Sequence, residues 1–247
     1  MPNIQQILNS SNYDSVRSIL EIAGSLAEKK EMEVYVVGGF VRDLLMGSPI
    51  NDIDLMTVGE GIPFAEMLAN ELGRKKIVPF KKFGTALIPG NDLQIEVATA
   101  RKENYEGNSR KPSEIIYTDL EGDLLRRDFT INAMAMNITP LLFGELTDPY
   151  GGISDIKKKI IKTPLDPDET FSEDPLRMMR AAYFSSKLGF KLDDSCLRSI
   201  KRQISRIGIV STERIRDEFI KILTTDKPSI GLVILQKTGL MKTVFPE

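Results

Sequence analysis

The chain has 247 residues, 41% of them hydrophobic and 28% charged, with a formal net charge of −2, one cysteine and no histidine. That length can bury a real core as one or two domains, and the composition is that of an ordinary soluble globular protein whose overall charge announces no nucleic-acid partner. Without histidine there is no Ser-His-Asp or Cys-His catalysis, no zincin motif and no histidine–aspartate phosphohydrolase site, and the lone Cys196 excludes an internal disulfide and a cysteine-rich zinc site.

The opening Met-Pro-Asn-Ile-Gln-Gln has no basic-then-apolar leader and no apolar stretch approaches a membrane span, so no membrane association is expected and the cytoplasm is the expected compartment. Residues 15–30 place Val16, Ile19, Leu20, Ala23, Leu26 and Ala27 at the three-four spacing of an amphipathic helix. Glu33 to Val37 reads as a strand broken by Gly38-Gly39, and a short helix carrying Arg42, Leu44 and Leu45 stops at Gly47. Asp52 to Thr57 is the next strand. Pro63 opens a helix that ends at Gly73, proline inside the start and glycine past the end. Strand-like segments follow at Lys76–Phe80, Gly84–Ile88 and, after the Pro89-Gly90-Asn91-Asp92 turn, Leu93–Thr99, while Lys102–Asp119 reads as a flexible loop. Helices and strands mix up to Tyr150. Beyond Asp155 helical patterns dominate, at Asp174–Leu188, Asp193–Arg206, Thr212–Leu223 and Ser229–Thr238. The Gly151-Gly152 punctuation therefore divides residues 1–150 from 151–247. Phe245-Pro246-Glu247 offers no obvious closing element, which points to a fragment of something longer.

Side chains alternate faces along a strand, so Asp52 and Asp54 point one way while Ile53 and Leu55 point into a core. Two neighbouring carboxylates repel unless a cation lies between them, and hard oxygen ligands so arranged suit Mg²⁺. Glu96 alternates with Ile95 and Val97. It is either an ordinary solvent-facing strand residue or, on an adjacent strand, the third carboxylate of a two-metal site. Gly38-Gly39 is either a tight turn or a place where phosphate reaches backbone N–H groups; Arg42, on the first turn of the following helix, favours phosphate. Asp43 is explained by pairing with a neighbouring cation. Arg126-Arg127-Asp128 reads equally as a capped, charged helix start and as a nucleotide contact, with Arg127 on a triphosphate and Asp128 or Asn132 on a ribose hydroxyl. Asp174 fits an N-cap with Pro175 at the first helical position, and Arg177 is spaced to pair with it across one turn. The same two side chains, an amine acceptor and a planar donor fork, suit the edge of a base. The basic runs Arg74-Lys75-Lys76 with Lys81-Lys82, Lys157-Lys158-Lys159 with Lys162, and Arg198, Lys201, Arg202 and Arg206 are solvated faces or salt-dependent phosphate contacts; charge alone does not decide.

In this order the motifs closely resemble the class II tRNA nucleotidyltransferases and bacterial poly(A) polymerases of the polymerase-β-like nucleotidyltransferase superfamily. The resemblance runs from Val34 to about Leu223: Gly38-Gly39-Phe40-Val41-Arg42-Asp43 with Asp52-Ile53-Asp54, Glu96 to Arg101, Arg126–Ala135, Asp148-Pro149-Tyr150-Gly151-Gly152 and Glu173–Arg180. Glu213 to Glu218 looks like the supporting helix motif of the family's neck. The resemblance implies an α+β fold, a head of mixed sheet and helices followed by an all-α neck and the start of a body. It implies that Asp52 and Asp54 bind the catalytic Mg²⁺ ions, that Glu96 is the third carboxylate, that Gly38, Gly39 and Arg42 contact the incoming nucleotide, and that Arg127, with Asp128 and Asn132, holds its triphosphate and ribose. Asp174 and Arg177 would form the protein template that selects CTP or ATP, and Arg180 would assist along the same helix. Where the family usually has a further arginine there, this chain has Tyr183. The implied activity is addition of CMP and AMP to the tRNA 3′ end with release of pyrophosphate. A-only, CC-only or poly(A) addition are alternatives, as is a nucleotide- or RNA-binding module without turnover. Phe83-Gly84-Thr85-Ala86-Leu87 resembles the CCA-adding version of its strand, and the Lys102–Asp119 segment resembles the loop that helps switch from C to A. Family members usually continue into body and tail domains that grip the tRNA elbow.

Overall fold

The computed structural model describes residues 4–90, 93–104 and 114–245. Helices α1 (Ile4–Leu8) and α2 (Asp14–Lys29) lead into β1 (Glu33–Val37), α3 (Gly39–Leu45), β2 (Asp52–Val58), α4 (Gly61–Glu71), β3 (Val78–Phe80), β4 (Thr85–Ile88) and β5 (Gln94–Thr99). Next come β6 (Arg101–Asn104), β7 (Glu114–Tyr117), α5 (Leu120–Leu125), β8 (Ala135–Asn137), β9 (Leu146–Thr147), α6 (Gly152–Lys158), β10 (Ile160–Ile161) and α7 (Pro167–Glu173). The rest is helical apart from β11 (Lys191–Leu192): α8 (Leu176–Leu188), α9 (Asp194–Gln203), α10 (Thr212–Leu223), α11 (Pro228–Thr238) and α12 (Leu240–Val244). The chain divides into two compact units. One comprises Met1–Lys102, Ile115–Leu125 and Ile131–Ile153; the other comprises Glu103–Glu114, Arg126–Thr130 and Ser154–Glu247. No helix among the described residues is long and apolar enough to cross a membrane.

The first unit is built on a seven-stranded mixed sheet of order β3-β4-β5-β2-β1-β8-β9. Its one parallel pair is β2–β5, and the other ladders are antiparallel. A parallel pair needs a crossover connection, which α4 and the β3–β4 hairpin supply. Ile53 sits in register with Ile95 and Leu55 with Val97, and all four are buried. Each such side chain contributes about 1.5–3 kcal/mol of burial, so the register that aligns them also fixes their polar neighbours on the opposite face. The apolar stripe of α2, Val16, Ile19, Leu20, Ala23, Leu26 and Ala27, is buried as its spacing predicts. Val37, Met56, Ala100, Leu124 and Ala135 form a further core cluster under Tyr35 and Tyr150.

In the second unit α8 buries Met178, Met179, Ala181, Ala182 and Phe184. The Phe184 ring meets Phe129 edge-on at 5.7 Å. The Gly231 N–H donates to Ser186 Oγ at 2.7 Å and ties α11 to α8.

The expected segments recur with shifted ends. Helix α4 starts at Gly61, before Pro63, and the helix expected at Asp193–Arg206 gives way after Gln203 to a 3₁₀ stretch, Ile204–Ile209. Strands β8 to β11 leave no mark in the sequence pattern, because two or three residues are too few for a period of two to show. The Asn91-Asp92 part of the expected turn and residues 105–113 of the expected loop lie outside the described residues. The described ends of that loop pair as the two-stranded sheet β6–β7.

Candidate active site

In the first unit, the parallel register sets Asp54 beside Glu96 and Asp52 beside Gln94, with Asp54 half-buried and Asp52 and Glu96 exposed. A strand advances about 3.3 Å per residue, so Asp52 stands roughly 6.6 Å along β2 from the Asp54–Glu96 pair. Among the described residues no three acidic or cysteine side chains gather closely enough to enclose a metal ion. The three carboxylates thus form a row along two strands. This donor set fits Mg²⁺, which takes one or two carboxylates and completes its octahedron with water and phosphate oxygens.

Gly38 joins β1 to α3 with φ 70° and ψ −130°, a backbone state side chains rarely allow, while its N–H donates to Met134 O at 3.1 Å. The Arg42 guanidinium folds back toward this turn: a Cβ on Gly39 would lie 3.3 Å from Arg42 Nη2. Glycine at 39 makes room for that arginine. Arg42 is buried; its Nε and Nη2 each donate to the Asp43 carboxylate at 2.8 Å, and its Nη1 donates to Asn132 Oδ1 at 2.5 Å. The cation that pairs with Asp43 is therefore Arg42 itself. Asn132, expected on a ribose, comes from 90 residues away to orient Arg42. Asp148 accepts from the N–H groups of Gly152 and Ile153 at 2.7 and 3.0 Å, so the Asp148–Gly152 motif caps α6.

In the second unit, Asp128 starts no α-helix; Thr130–Asn132 is a single 3₁₀ turn. Asp128 is buried and accepts from Arg180 Nε at 2.8 Å and Nη2 at 2.6 Å. Burial disfavours the charge on Arg180, but Asp128, then Glu218 and Asp174, outweigh that and raise its pKa above the usual guanidinium value. Arg127 is half-buried nearby in sequence. The expected Asp174–Arg177 pair is not formed. Arg177 donates to Glu173 Oε2 at 3.0 Å and to the carbonyls of Thr170 at 3.3 Å and Arg126 at 2.5 Å. Asp174 caps α8 by accepting from the Leu176 N–H at 3.2 Å, and its other oxygen accepts from Arg214 at 3.2 Å. Arg214 and Glu218 both lie on α10, so the Glu213–Glu218 segment does brace the Asp174 region. Sequence reasoning singles out that motif but not Arg214 within it.

Residues 34–162 match the family described as the poly A polymerase head domain, and residues 189–247 match a probable RNA and SrmB-binding site of polymerase A. The chain belongs to the class II tRNA nucleotidyltransferase and poly(A) polymerase family. It is 39% identical over 216 residues to a CCA-adding enzyme of Anoxybacillus flavithermus, covering 87% of this chain and 52% of that protein. It is 36% identical over 234 residues to an A-adding tRNA nucleotidyltransferase of Geobacter sulfurreducens, covering 93% of this chain and 26% of that protein. The chain thus spans about half or less of these relatives' length. A crystal structure of a tRNA nucleotidyltransferase complexed with a primer tRNA and an incoming ATP analog superposes with a TM-score of 0.79 at 33% identity, over 91% of this chain and 62% of that one. Tyr183 is the position at which the resemblance drawn from the sequence expects an arginine. Its ring packs on Phe184 at 5.0 Å, and Lys221 Nζ from α10 lies 6.0 Å over its face, so a cation still reaches this point.

Proposed function

We propose that this chain is the nucleotide-adding part of a cytoplasmic tRNA nucleotidyltransferase, transferring CMP and AMP from CTP and ATP to a tRNA 3′ end. The observation that carries this is the β2–β5 register, which sets Asp54 against Glu96 with Asp52 on the same face. Family membership and the tRNA- and nucleotide-bound relative support the substrate class. The RNA 3′-hydroxyl oxygen attacks the α-phosphorus and gives up its proton to solvent, and the bond to pyrophosphate breaks. Asp52 and Asp54 would hold Mg²⁺, which when bound would supply positive charge against the phosphates. Glu96 adds the third negative charge to that row. Arg42 opposes the triphosphate; Asn132 and Asp43 hold its fork in one orientation, and Gly38 and Gly39 keep the turn open beside it, while Arg127 has only the triphosphate role that the family resemblance implies. Asp128 fixes Arg180 along the template helix.

Base choice falls to Asp174 and Arg177. Cytosine and adenine both offer an exocyclic amine that a carboxylate accepts, whereas guanine and uracil offer an oxygen there. Calorimetric binding of CTP, ATP, GTP and UTP with Mg²⁺ tests the reading, together with incorporation into a tRNA lacking its 3′ CCA. Binding of CTP and ATP alone, with both incorporated, is expected. The A-adding relative, aligned over 93% of this chain, favours a second reading in which ATP alone binds and is added. Equal binding of all four, or of none, would sink both.

A further inference from the structure

One exposed patch of the first unit is left unused by the chemistry above. At the end of the sheet, β3 and the following 3₁₀ turn (Lys81–Phe83) leave Phe80 47% and Phe83 45% exposed, and Tyr117 at the end of β7 is 67% exposed. Soluble proteins seldom leave several large rings in water without a partner. These rings are not scattered. Gly84, with φ 61°, lets the chain turn sharply after Phe83, and a Cβ there would lie 3.7 Å from the Tyr117 ring. Arg101 donates to the Phe83 carbonyl, and its guanidinium carbon stands 5.9 Å from the Phe83 ring centroid. The Thr118 N–H donates to Ala100 O at 3.1 Å and fixes the end of β7 beside Arg101. Lys81 and Lys82 are exposed on the same turn. Asp119 accepts from the Gly122 N–H, and the buried Asp123 accepts from the backbone N–H of Arg101.

Rings interleaved with cations suit a single-stranded polynucleotide: bases stack on the rings and phosphates meet the positive charge. We infer that Phe83, Tyr117 and Arg101, flanked by Lys81 and Lys82, form a stacking platform for the single-stranded end of an RNA. The charge selects this occupant over an apolar peptide. On the proposed function, which this inference deepens, the source is the unpaired acceptor end of tRNA. Stacking reads no 2′-hydroxyl, so single-stranded DNA of the same sequence shares the platform, and its affinity relative to RNA shows whether other groups add RNA preference.

The test measures binding of a short fluorescent single-stranded RNA to the whole chain and to the variants Phe83→Ala, Tyr117→Ala and Lys81→Glu/Lys82→Glu, with CTP and ATP binding measured alongside. Each exposed-ring variant is expected to weaken RNA binding roughly 5- to 150-fold, the range that ring truncation produces at stacking sites. Tyr117→Phe keeps the ring and should retain the affinity. The lysine reversal should flatten the salt dependence by about 0.7 in log–log slope for each phosphate no longer neutralised. Nucleotide binding should not change. Unaltered RNA affinity in both ring variants, or no RNA binding by the parent chain, overturns the platform. Failure of the parent chain to bind CTP and ATP, with ring-dependent RNA binding intact, would instead overturn the nucleotidyltransferase reading alone.

Discussion

Glu96→Gln should stabilise the chain without metal and destabilise it with metal. The substitution keeps the shape of the side chain and removes one of the two charges that the β2–β5 register places side by side. Two unit charges about 5–6 Å apart repel by roughly 0.7 kcal/mol in water-like surroundings. Glu96 is exposed and salt screens it, so about 0.5 kcal/mol is the relief expected at about 0.1 M salt. In a chain of this length that is a rise of roughly 1–2 °C in melting temperature in EDTA. With Mg²⁺ at about ten times its dissociation constant, the parent should gain about 1.4 kcal/mol, or roughly 3–6 °C. The variant, with one donor charge fewer, binds the cation more weakly and gains less. The two melting curves should therefore exchange order between EDTA and saturating Mg²⁺, which circular dichroism reads directly. A variant that melts lower in EDTA would show that Glu96 is not held against a like charge. Equal gains from Mg²⁺ would separate Glu96 from the metal.

Asn132→Ala removes a charge-assisted hydrogen bond from buried Arg42 and should cost about 1.5–3 kcal/mol in urea denaturation, with weaker CTP and ATP binding; unchanged stability would show that the bond does not form in solution. Arg214→Ala leaves Asp174 capping α8 but unpins its second oxygen, so preference for CTP and ATP over GTP and UTP should fall while affinity drops little. Intact preference in calorimetry would remove Arg214 from base choice. Burial, with a smaller push from Asp193 against hydrogen bonds from Thr163 and Ser195, raises the Cys196 thiol to about 11. At about pH 8 a disulfide probe should therefore label the folded chain at least roughly 100-fold more slowly than the urea-unfolded one. The stability gained by burying the neutral thiol is complete below the ordinary thiol range and is lost as the pH rises toward about 11. Rapid labelling of the folded chain would mean that α9 opens locally.

The parts of the site legible in the sequence are those set by a short period. Alternation along β2 puts Asp52 and Asp54 on one face because Ile53 and Leu55 must take the other, and the same rule frees Glu96 from Ile95 and Val97. That Asp54 and Glu96 are neighbours needs the parallel crossover, to which only the family resemblance pointed. Partners far apart in the chain were illegible for a different reason. Asn132 and Arg42 are 90 residues apart, and Asp128 and Arg180 are 52 apart; packing chooses among many equally plausible charges, and no local pattern records the choice.

Arg177 shows that competition in miniature. Helical spacing offers it two carboxylates, Asp174 three residues back and Glu173 four back. Asp174 is already engaged by the Leu176 N–H and by Arg214, so the guanidinium turns to Glu173 and to the carbonyls of Thr170 and Arg126. A carboxylate occupied at a helix start is lost to the ion pair that spacing alone would assign. The consequence reaches base choice. If Asp174 and Arg177 read a base together, they do so from opposite anchors, one on the start of α8 and α10, the other on α7 and the Arg126 carbonyl. Selectivity would then depend on residues such as Arg214 and Glu173 that need not touch the nucleotide.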